Sequence, residues 1–287
     1  MTAASISHSL PPVTDTAGTI AFIGGGNMAR SLIGGLISRG VAADTLRVAE
    51  PVAELRDALA RDFGVSVFDN ANDAVAGAAL WLLAVKPQVM RHVCGDLSAV
   101  AQSGKPLVVS IAAGITAAQL QRWLGGDTAI IRAMPNTPAL LGAGVTGLYA
   151  NAHVSPAGRD EAEGLLASAG KTVWIDDEAL MDSVTAVSGS GPAYVFLLAE
   201  AMEAAAKAEG LDDVAARTLV LQTILGAARM LTESDEAPAE LRKRVTSPNG
   251  TTQAAVETFQ RGGFETLVAQ AIAAASERGR QLSAAND

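Results

Sequence analysis

The sequence TIAFIGGGNMARSLIGGLISRG, residues 19–40, indicates the fold class of the N-terminal half. A short apolar run precedes closely spaced glycines and a helical pattern, which predicts a strand, a tight turn and a helix. Gly24, Gly26 and Ala29 fit the motif GxGxxA, which in this setting is typical of dinucleotide binding. Gly24 would permit the turn, Gly26 would let the backbone approach a pyrophosphate, and Ala29 would let the helix pack closely. The alternative is a glycine turn that only closes a βα unit.

The pattern of predicted secondary structure changes near residue 175. Before it, six β-rich runs alternate with helical stretches: TIAFIG, TLRVAE, GVSVF, LWLLAV, PLVVSIA and TAIIRAM. This alternation predicts an α/β fold with a doubly wound parallel sheet of the Rossmann type. After it, long alanine-rich segments predict an all-helical region. We therefore expect a flexible N-terminal tail at residues 1–17, a nucleotide-binding domain at 18–175 and a helical domain at 176–287.

Residues that follow the predicted strands are candidate cofactor contacts, because such sheets bind ligands at the carboxyl ends of their strands. Glu50 lies where an acidic residue reaches the adenosine ribose hydroxyls, which favours NADH over NADPH, unless it is only a solvated loop glutamate. Lys86 would bind a ribose or phosphate, or else be a solvated cation. The predicted cofactor-binding residues are Gly24, Gly26, Asn27, Met28, Glu50, Asn70, Val85, Lys86, Pro87, Ala112, Met134, Pro135 and Asn136.

Composition bounds the class of protein. The 287 residues are 49% hydrophobic and 18% charged, with a net charge of -9, so the chain can bury a core and lacks the basic surface of a nucleic-acid binder. Cys94 is the single cysteine, which excludes an intramolecular disulfide. The N-terminus has no pattern of a secretory signal, and no apolar run reaches the roughly 18 residues of a membrane span. We expect a cytoplasmic protein without a membrane partner.

Several kinds of chemistry find no support in the sequence. The three histidines, His8, His92 and His153, stand in no recognisable catalytic motif, and no cluster has the spacing of a metal site. The segment AVSGSGPAY lacks the glycines of a hydrolase nucleophile elbow. A nicotinamide enzyme without an evident histidine or lysine base suits a protonated imine, which accepts hydride directly.

The segment SPNGTT, residues 247–252, interrupts the helical half. Proline and glycine predict a turn, and the threonines would begin the next helix. Hydroxyls and unpaired backbone amides together would bind an anion there, and we expect a carboxylate. The flanking helices are apolar over most of their circumference, which indicates either an intrachain core or a subunit interface. We favour a homodimer.

The motifs IGGGNMA, LLAVKP, SIAAGI, IIRAMPNTPA, AVSGSGPAYVF and VTSPNGTT occur in an order that resembles the pyrroline-5-carboxylate reductase family. The resemblance covers nearly everything after residue 17, and its last two motifs are the most specific. It implies reduction of L-1-pyrroline-5-carboxylate to L-proline by NADPH or NADH, the last step of proline biosynthesis. It also implies a helical dimerisation domain and dimers that can assemble into a homodecamer.

By the same resemblance, Ser247, Gly250 and Thr251 would bind the substrate carboxylate, largely through backbone amides. Thr252 would be the catalytic residue, with its hydroxyl on the ring nitrogen. Asn249 departs from the family, which usually has glycine there; asparagine tolerates positive φ better than most residues. Ser190 would cap the helix that follows it. The family often uses NADPH, which conflicts with our interpretation of Glu50.

Two alternatives stay open at this point. The chain would be a related reductase for another cyclic imine or for a β-hydroxy acid, although Lys207 and Lys243 lack the motif around the lysine of the β-hydroxyacid dehydrogenases. It would otherwise be an NAD(P)-sensing protein without catalysis, which leaves the SPNGTT turn unexplained.

Overall fold

The computed structural model describes residues 18–286, and the predicted tail at residues 1–17 lies outside this range. One eight-stranded sheet has the order β3-β2-β1-β4-β5-β6-β7-β8. Its strands are β1 (Ile20–Ile23), β2 (Leu46–Ala49), β3 (Ser66–Phe68), β4 (Leu80–Leu83), β5 (Leu107–Ser110), β6 (Ala129–Met134), β7 (Gly144–Ala150) and β8 (Gly170–Trp174).

Helices follow most strands and then fill the C-terminal part of the chain. They are α1 (Asn27–Ser38), α2 (Ala53–Phe63), α3 (Ala71–Val75), α4 (Pro87–Gly104), α5 (Ala117–Trp123), α6 (Pro156–Leu166), α7 (Met181–Val184), α8 (Gly191–Ala208), α9 (Asp213–Glu233), α10 (Pro238–Arg244), α11 (Thr251–Arg261) and α12 (Phe264–Ala285). A π-helical turn at Thr185–Gly189 leads from α7 towards α8.

The first six strands are parallel to their neighbours, and the strand order reverses between β1 and β4. The predicted Rossmann-type fold class is confirmed. The structure adds β7 and β8, which were not among the predicted strands. β7 runs antiparallel to β6 because residues 135–143 are too few for the crossover of a dozen or more residues that a parallel pair needs.

Two hydrophobic clusters cover the two faces of the sheet. Ile20 and Phe22 contribute to one cluster, and Ala21 and Ile23 to the other, because successive side chains of a strand point to opposite faces. All residues of β1 and β4 are buried, whichever face of the sheet their side chains point to. This double burial explains why these strands show no polar alternation.

The chain divides into two compact units. One runs to Gly189 and resumes at Ala275, and the other is Ser190–Ala274. The first unit extends beyond the predicted domain boundary at residue 175 because the segment after β8 packs back on the sheet. There the Arg132 guanidinium donates to Oε1 of Glu178 over 2.8 Å, and Val184 packs against Gly147.

The second unit exposes many large apolar side chains. None of the residues of α8 is buried, and Phe196 and Leu197 are each 66% exposed. By length and composition alone, α9 is long and apolar enough to cross a membrane. Helices in protein cores meet the same two criteria. In the single chain these helices therefore present apolar surface that another molecule can cover.

Candidate active site

The glycine turn after β1 has the conformation that dinucleotide binding requires. Gly24 has a φ of 103°, and a Cβ there would lie 2.7 Å from the carbonyl oxygen of Ala84. Only glycine fits both demands. A Cβ on Gly26 would meet no atom within 4 Å, so open space lies beside the backbone where α1 begins. Ala29 is buried in the core, as expected for close packing of α1 on the sheet.

The N-terminus of α1 is suited to an anion. Gly26 occupies the N-cap position, and no side chain in the described part of the chain caps the helix there. Asn27 is exposed and Met28 half-buried in the first turn. The first amides of a helix have no intrahelical acceptor, so this turn offers donors to a phosphate.

Glu50 follows β2 and turns its carboxylate towards the glycine turn. Its Oε2 accepts a hydrogen bond from the backbone N–H of Gly25 over 3.0 Å, and its Oε1 accepts one from Val52 over 3.0 Å. The residue is 7% exposed. Gly25 was not among the predicted site residues, although the run of three glycines marked it. The carboxylate thus stabilises the turn, and its contact with a ribose stays a prediction.

A cationic side chain from the first turn of α2 lies against the same loop. Nη1 of Arg56 donates to the carbonyl oxygens of Glu50 at 2.8 Å and Pro51 at 3.2 Å. The sequence did not predict Arg56 as a site residue, because its contact with the end of β2 appears only in the folded structure. A carboxylate that suits ribose hydroxyls and a guanidinium that suits a phosphate therefore lie close together after β2.

The remaining predicted cofactor residues follow β3, β4, β5 and β6 at the same edge of the sheet. Lys86 is exposed at the N-cap of α4, between half-buried Val85 and Pro87. Ala112 is half-buried after β5. Asn70 caps α3, where its side chain accepts from the Asp73 N–H over 3.0 Å. Their contacts with a cofactor stay a prediction.

The end of β6 contributes both apolar and structural groups. Met134 is half-buried and Pro135 buried. The amide of Asn136 is occupied within the protein, because it donates to the Ser188 carbonyl over 3.1 Å and accepts from the Val145 N–H over 3.0 Å. Asn136 thus links three segments, so its side chain is less available to a cofactor than the sequence suggested.

In the second unit, SPNGTT forms a tight turn that opens α11. The Gly250 N–H donates to the Ser247 carbonyl over 3.0 Å, which closes a four-residue turn around Pro248 and Asn249. Asn249 has a φ of 58°, the positive value expected from its place in the turn. Proline at the second position and positive φ at the third are typical of a type II turn.

The helix that follows begins with free donors. The first intrahelical bond from the turn runs from the Ala254 N–H to the Gly250 carbonyl over 3.2 Å. The amides of Thr251 and Thr252 precede it and have no intrahelical acceptor. Within residues 18–286, no side chain caps α11 and its first turn holds no acidic residue. The predicted carboxylate-binding residues therefore lie together at one helix N-terminus, and their contact with a carboxylate stays a prediction.

Ser190 does not cap α8 as the sequence suggested. It occupies the N-cap position, but its backbone is helical and its side chain makes no capping hydrogen bond within the described chain. A capping side chain needs an extended backbone at that residue, which the preceding π-helical turn prevents.

Other reactive side chains lie away from these elements. His92 is exposed on α4, 3.4 Å from Asp96, and His153 lies 3.1 Å from Gln121. Cys94 is a buried residue of α4, and burial raises the pKa of its thiol to about 12. No group of three potential metal ligands occurs among residues 18–286.

Comparison with known proteins places these elements in a family. Residues 178–282 match the family model for pyrroline-5-carboxylate reductase dimerisation, and residues 19–114 match that for NADP oxidoreductase, coenzyme F420-dependent. A pyrroline-5-carboxylate reductase of Pseudomonas aeruginosa is 54% identical over 92% of this chain and 96% of its own length. The chain belongs to the pyrroline-5-carboxylate reductase family. The predicted resemblance, the reductase function and the class of NAD(P)H-dependent oxidoreductase are thereby confirmed.

Solved structures agree with this assignment. A pyrroline-5-carboxylate reductase from Coxiella burnetii superposes with a TM-score of 0.89 at 39% identity, covering 93% of this chain and 98% of that one. One from Plasmodium falciparum with NADP bound has a TM-score of 0.81 at 27% identity, covering 92% and 98%. The dimerisation match covers α8 and α9, so the exposed apolar surface belongs to an oligomer, as predicted.

Proposed function

We propose that the chain reduces L-1-pyrroline-5-carboxylate to L-proline with NADPH or NADH, as the last step of proline biosynthesis. The observation that carries the substrate assignment is the Ser247–Gly250 turn, which feeds an uncapped helix N-terminus without acidic side chains. Such an element favours a carboxylate through both its free amides and the helix dipole. The sensing alternative gives this element no role.

The residues after β1 fit a dinucleotide. Gly24 holds the turn in a conformation closed to other residues, and open space beside Gly26 leaves room for a pyrophosphate on the α1 N-terminus. Glu50 would accept ribose hydroxyls, with the other predicted cofactor residues along the same sheet edge. When bound, the nicotinamide supplies the hydride that converts the C=N bond into a secondary amine.

The substrate residues bind and orient the imine. Ser247, Gly250 and Thr251 would surround the carboxylate, and the Thr251 N–H would donate to it, because the Gly250 N–H already bonds the Ser247 carbonyl. The Thr252 hydroxyl oxygen would accept the iminium N–H and so fix the ring plane. Because the protonated imine already carries its proton, no separate acid is needed. Orientation alone can supply about 7 to 11 kcal/mol of barrier lowering in model reactions.

For the cofactor we propose a preference for NADH, based on Glu50. A buried carboxylate beside the ribose position would repel a 2′-phosphate. Arg56 acts in the opposite direction, since its guanidinium lies against the Glu50 and Pro51 carbonyls on the same loop. The preference is therefore the balance of two neighbouring charges.

We also propose the finer organisation of the molecule. Residues 18–175 would bind the cofactor, and residues 176–287 would carry dimerisation and substrate binding. The oligomer would be a homodimer that can assemble further into a homodecamer. The protein would act in the cytoplasm, where its substrate is an intermediate of amino-acid synthesis.

The direct test measures the loss of reduced nicotinamide absorbance with purified protein, 1-pyrroline-5-carboxylate and either cofactor. Thr252→Ala should lower turnover substantially and leave cofactor binding intact. Thr258→Ala is the matched control, because that hydroxyl bonds within α11 to the Ala254 carbonyl. Full activity in Thr252→Ala would remove this hydroxyl from the mechanism. Cofactor binding without turnover in the unaltered protein would overturn the proposed reaction.

A further inference from the structure

A series of side-chain contacts along α11 stabilises the Ser247–Gly250 turn. The Asn249 N–H donates to Oε1 of Gln253 over 2.7 Å, and Nε2 of Gln253 donates to Oε1 of Glu257 over 2.7 Å. Nη1 of Arg261 lies 3.5 Å from Oε2 of Glu257. We call Asn249, Gln253 and Glu257 the turn brace. Both ends of the Gln253 amide have a partner, so its orientation is fixed.

The turn needs such a brace because Asn249 has a Cβ. Glycine adopts positive and negative φ about equally, whereas asparagine has to be held at its φ of 58° against more favourable conformations. Asparagine at this position therefore favours a backbone conformation other than the one that the turn needs. A hydrogen bond from the Asn249 N–H to a fixed acceptor selects the state seen in the structure.

The geometry resembles a helix capping box displaced by one residue. Gln253 is the third residue of α11, after the N-cap Gly250. In a capping box this residue reaches back to the N-cap N–H. Here it reaches one residue further and bonds Asn249, inside the turn. The amides of Thr251 and Thr252 thus stay free for a ligand while the turn before them is fixed.

We propose that Gln253, oriented by Glu257, is a positioning residue that keeps the carboxylate-binding turn in its productive conformation. This inference rests on the proposed function of the turn. Gln253 acts through Asn249 and touches no reacting atom. Its removal therefore raises KM for the imine, with a smaller effect on kcat and none on KM for the reduced nicotinamide cofactor.

The test compares steady-state kinetics of the full-length protein and its variants. Gln253→Leu removes both brace contacts and should raise the imine KM about fivefold, the ratio expected for one net hydrogen bond. Gln260→Leu, on the same helix, is the matched control and should leave KM unchanged. Gln253→Glu combined with Glu257→Gln keeps an acceptor for Asn249 and restores an amide–carboxylate pair in reversed order. Because this double variant also puts a negative charge in the first turn of α11, its readout is hydrogen exchange at Asn249, which should stay as slow as in the original chain.

Asn249→Gly tests the reason for the brace. With glycine the turn conformation is accessible without help, so Gln253→Leu should raise the imine KM less in this background than in the original chain. An equal rise in both backgrounds would show that Gln253 does not act through the conformation of Asn249. An unchanged imine KM in Gln253→Leu would overturn the inference outright.

Hydrogen exchange separates this inference from the proposed reaction. Peptides that contain Asn249 should exchange faster in Gln253→Leu than in Gln260→Leu, and this readout needs no turnover. If the original chain reduces no imine but the exchange difference is present, the brace exists and the proposed function fails. If the imine is reduced and exchange is identical in the two variants, the function holds and the brace does not.

Discussion

Replacing Glu50 by glutamine tests whether one carboxylate both braces the glycine turn and selects the cofactor. In the structure its two oxygens accept the N–H groups of Gly25 and Val52, each over 3.0 Å, at a site that is 7% exposed. Glu50→Gln keeps one oxygen and places an NH2 group against the other backbone donor. One charge-assisted hydrogen bond is lost, and one buried N–H is left without an acceptor.

The magnitude follows from that loss. A hydrogen bond to a charged group contributes about 1.5–3 kcal/mol, and an unsatisfied buried donor costs about 1–3 kcal/mol. Both figures describe the loss of the same hydrogen bond and are not added, so we expect the free energy of unfolding to fall by about 2 kcal/mol. Removal of the negative charge should also weaken repulsion of a 2′-phosphate. A change of about tenfold, equal to about 1.4 kcal/mol, in the ratio of kcat/KM for NADPH to that for NADH is the expected scale.

Two assays read these effects separately. Urea unfolding at fixed protein concentration gives the stability, because an oligomer's apparent stability depends on concentration. Initial rates with each cofactor give the kcat/KM ratio. Glu54→Gln is the matched control, since Glu54 is exposed in the first turn of α2 and should change stability by less than about 0.5 kcal/mol.

The outcomes distinguish the two roles. If Glu50→Gln unfolds at the same urea concentration as Glu54→Gln, the carboxylate does not hold the glycine turn and the reasoning from its hydrogen bonds is refuted. If stability falls while the cofactor ratio stays constant, Glu50 braces the turn without selecting the cofactor. In that case Arg56 becomes the residue to alter next.

Two further predictions concern burial. Burial raises the pKa of the Cys94 thiol from 9.0 to about 12, so its contribution to stability is complete below about pH 9 and is lost as pH rises towards 12. The fall in unfolding free energy across that range should be smaller in Cys94→Ala than in the original chain, and an equal fall would contradict the assignment. Phe196→Asp should shift the oligomer towards monomer in light scattering, because Phe196 is 66% exposed within the dimerisation match. Val173→Asp, at an exposed site outside that match, should leave the mass unchanged, and an unchanged mass in both variants would exclude Phe196 from the interface.

The glycine turn was predictable because its requirements are local. Positive φ at Gly24 and a small side chain at Ala29 follow from the strand, turn and helix that the motif joins. The same holds for Asn249, whose place after proline in a turn predicts its positive φ. In each case the backbone conformation depends on a few neighbouring residues, which sequence shows directly.

The unpredicted features depend on contacts between distant residues or on side-chain reach. β7 and β8 begin with Gly144 and Gly170, and β7 also contains Gly147, and glycine weakens the sequence pattern of a strand. Their pairing is set by the sheet edge that β6 leaves open. The bond from Gly25 to Glu50 likewise spans two strands, and that from Asn249 to Gln253 depends on a rotamer. Pattern alone carries no information on either.

The exposed apolar surface of the helical half can be interpreted only together with the molecule that covers it. α9 would satisfy a length and hydropathy test for a membrane span, and only 11% of that window is buried in the single chain. The same sequence lies inside the region that matches reductase dimerisation. The alanines of α9 allow a neighbouring helix to approach closely. Arg217 of α9 lies 3.6 Å from Glu203 of α8, so an ion pair joins these two helices. A second copy of the chain thus accounts for the apolar surface, because obligate interfaces resemble a domain core divided between two subunits.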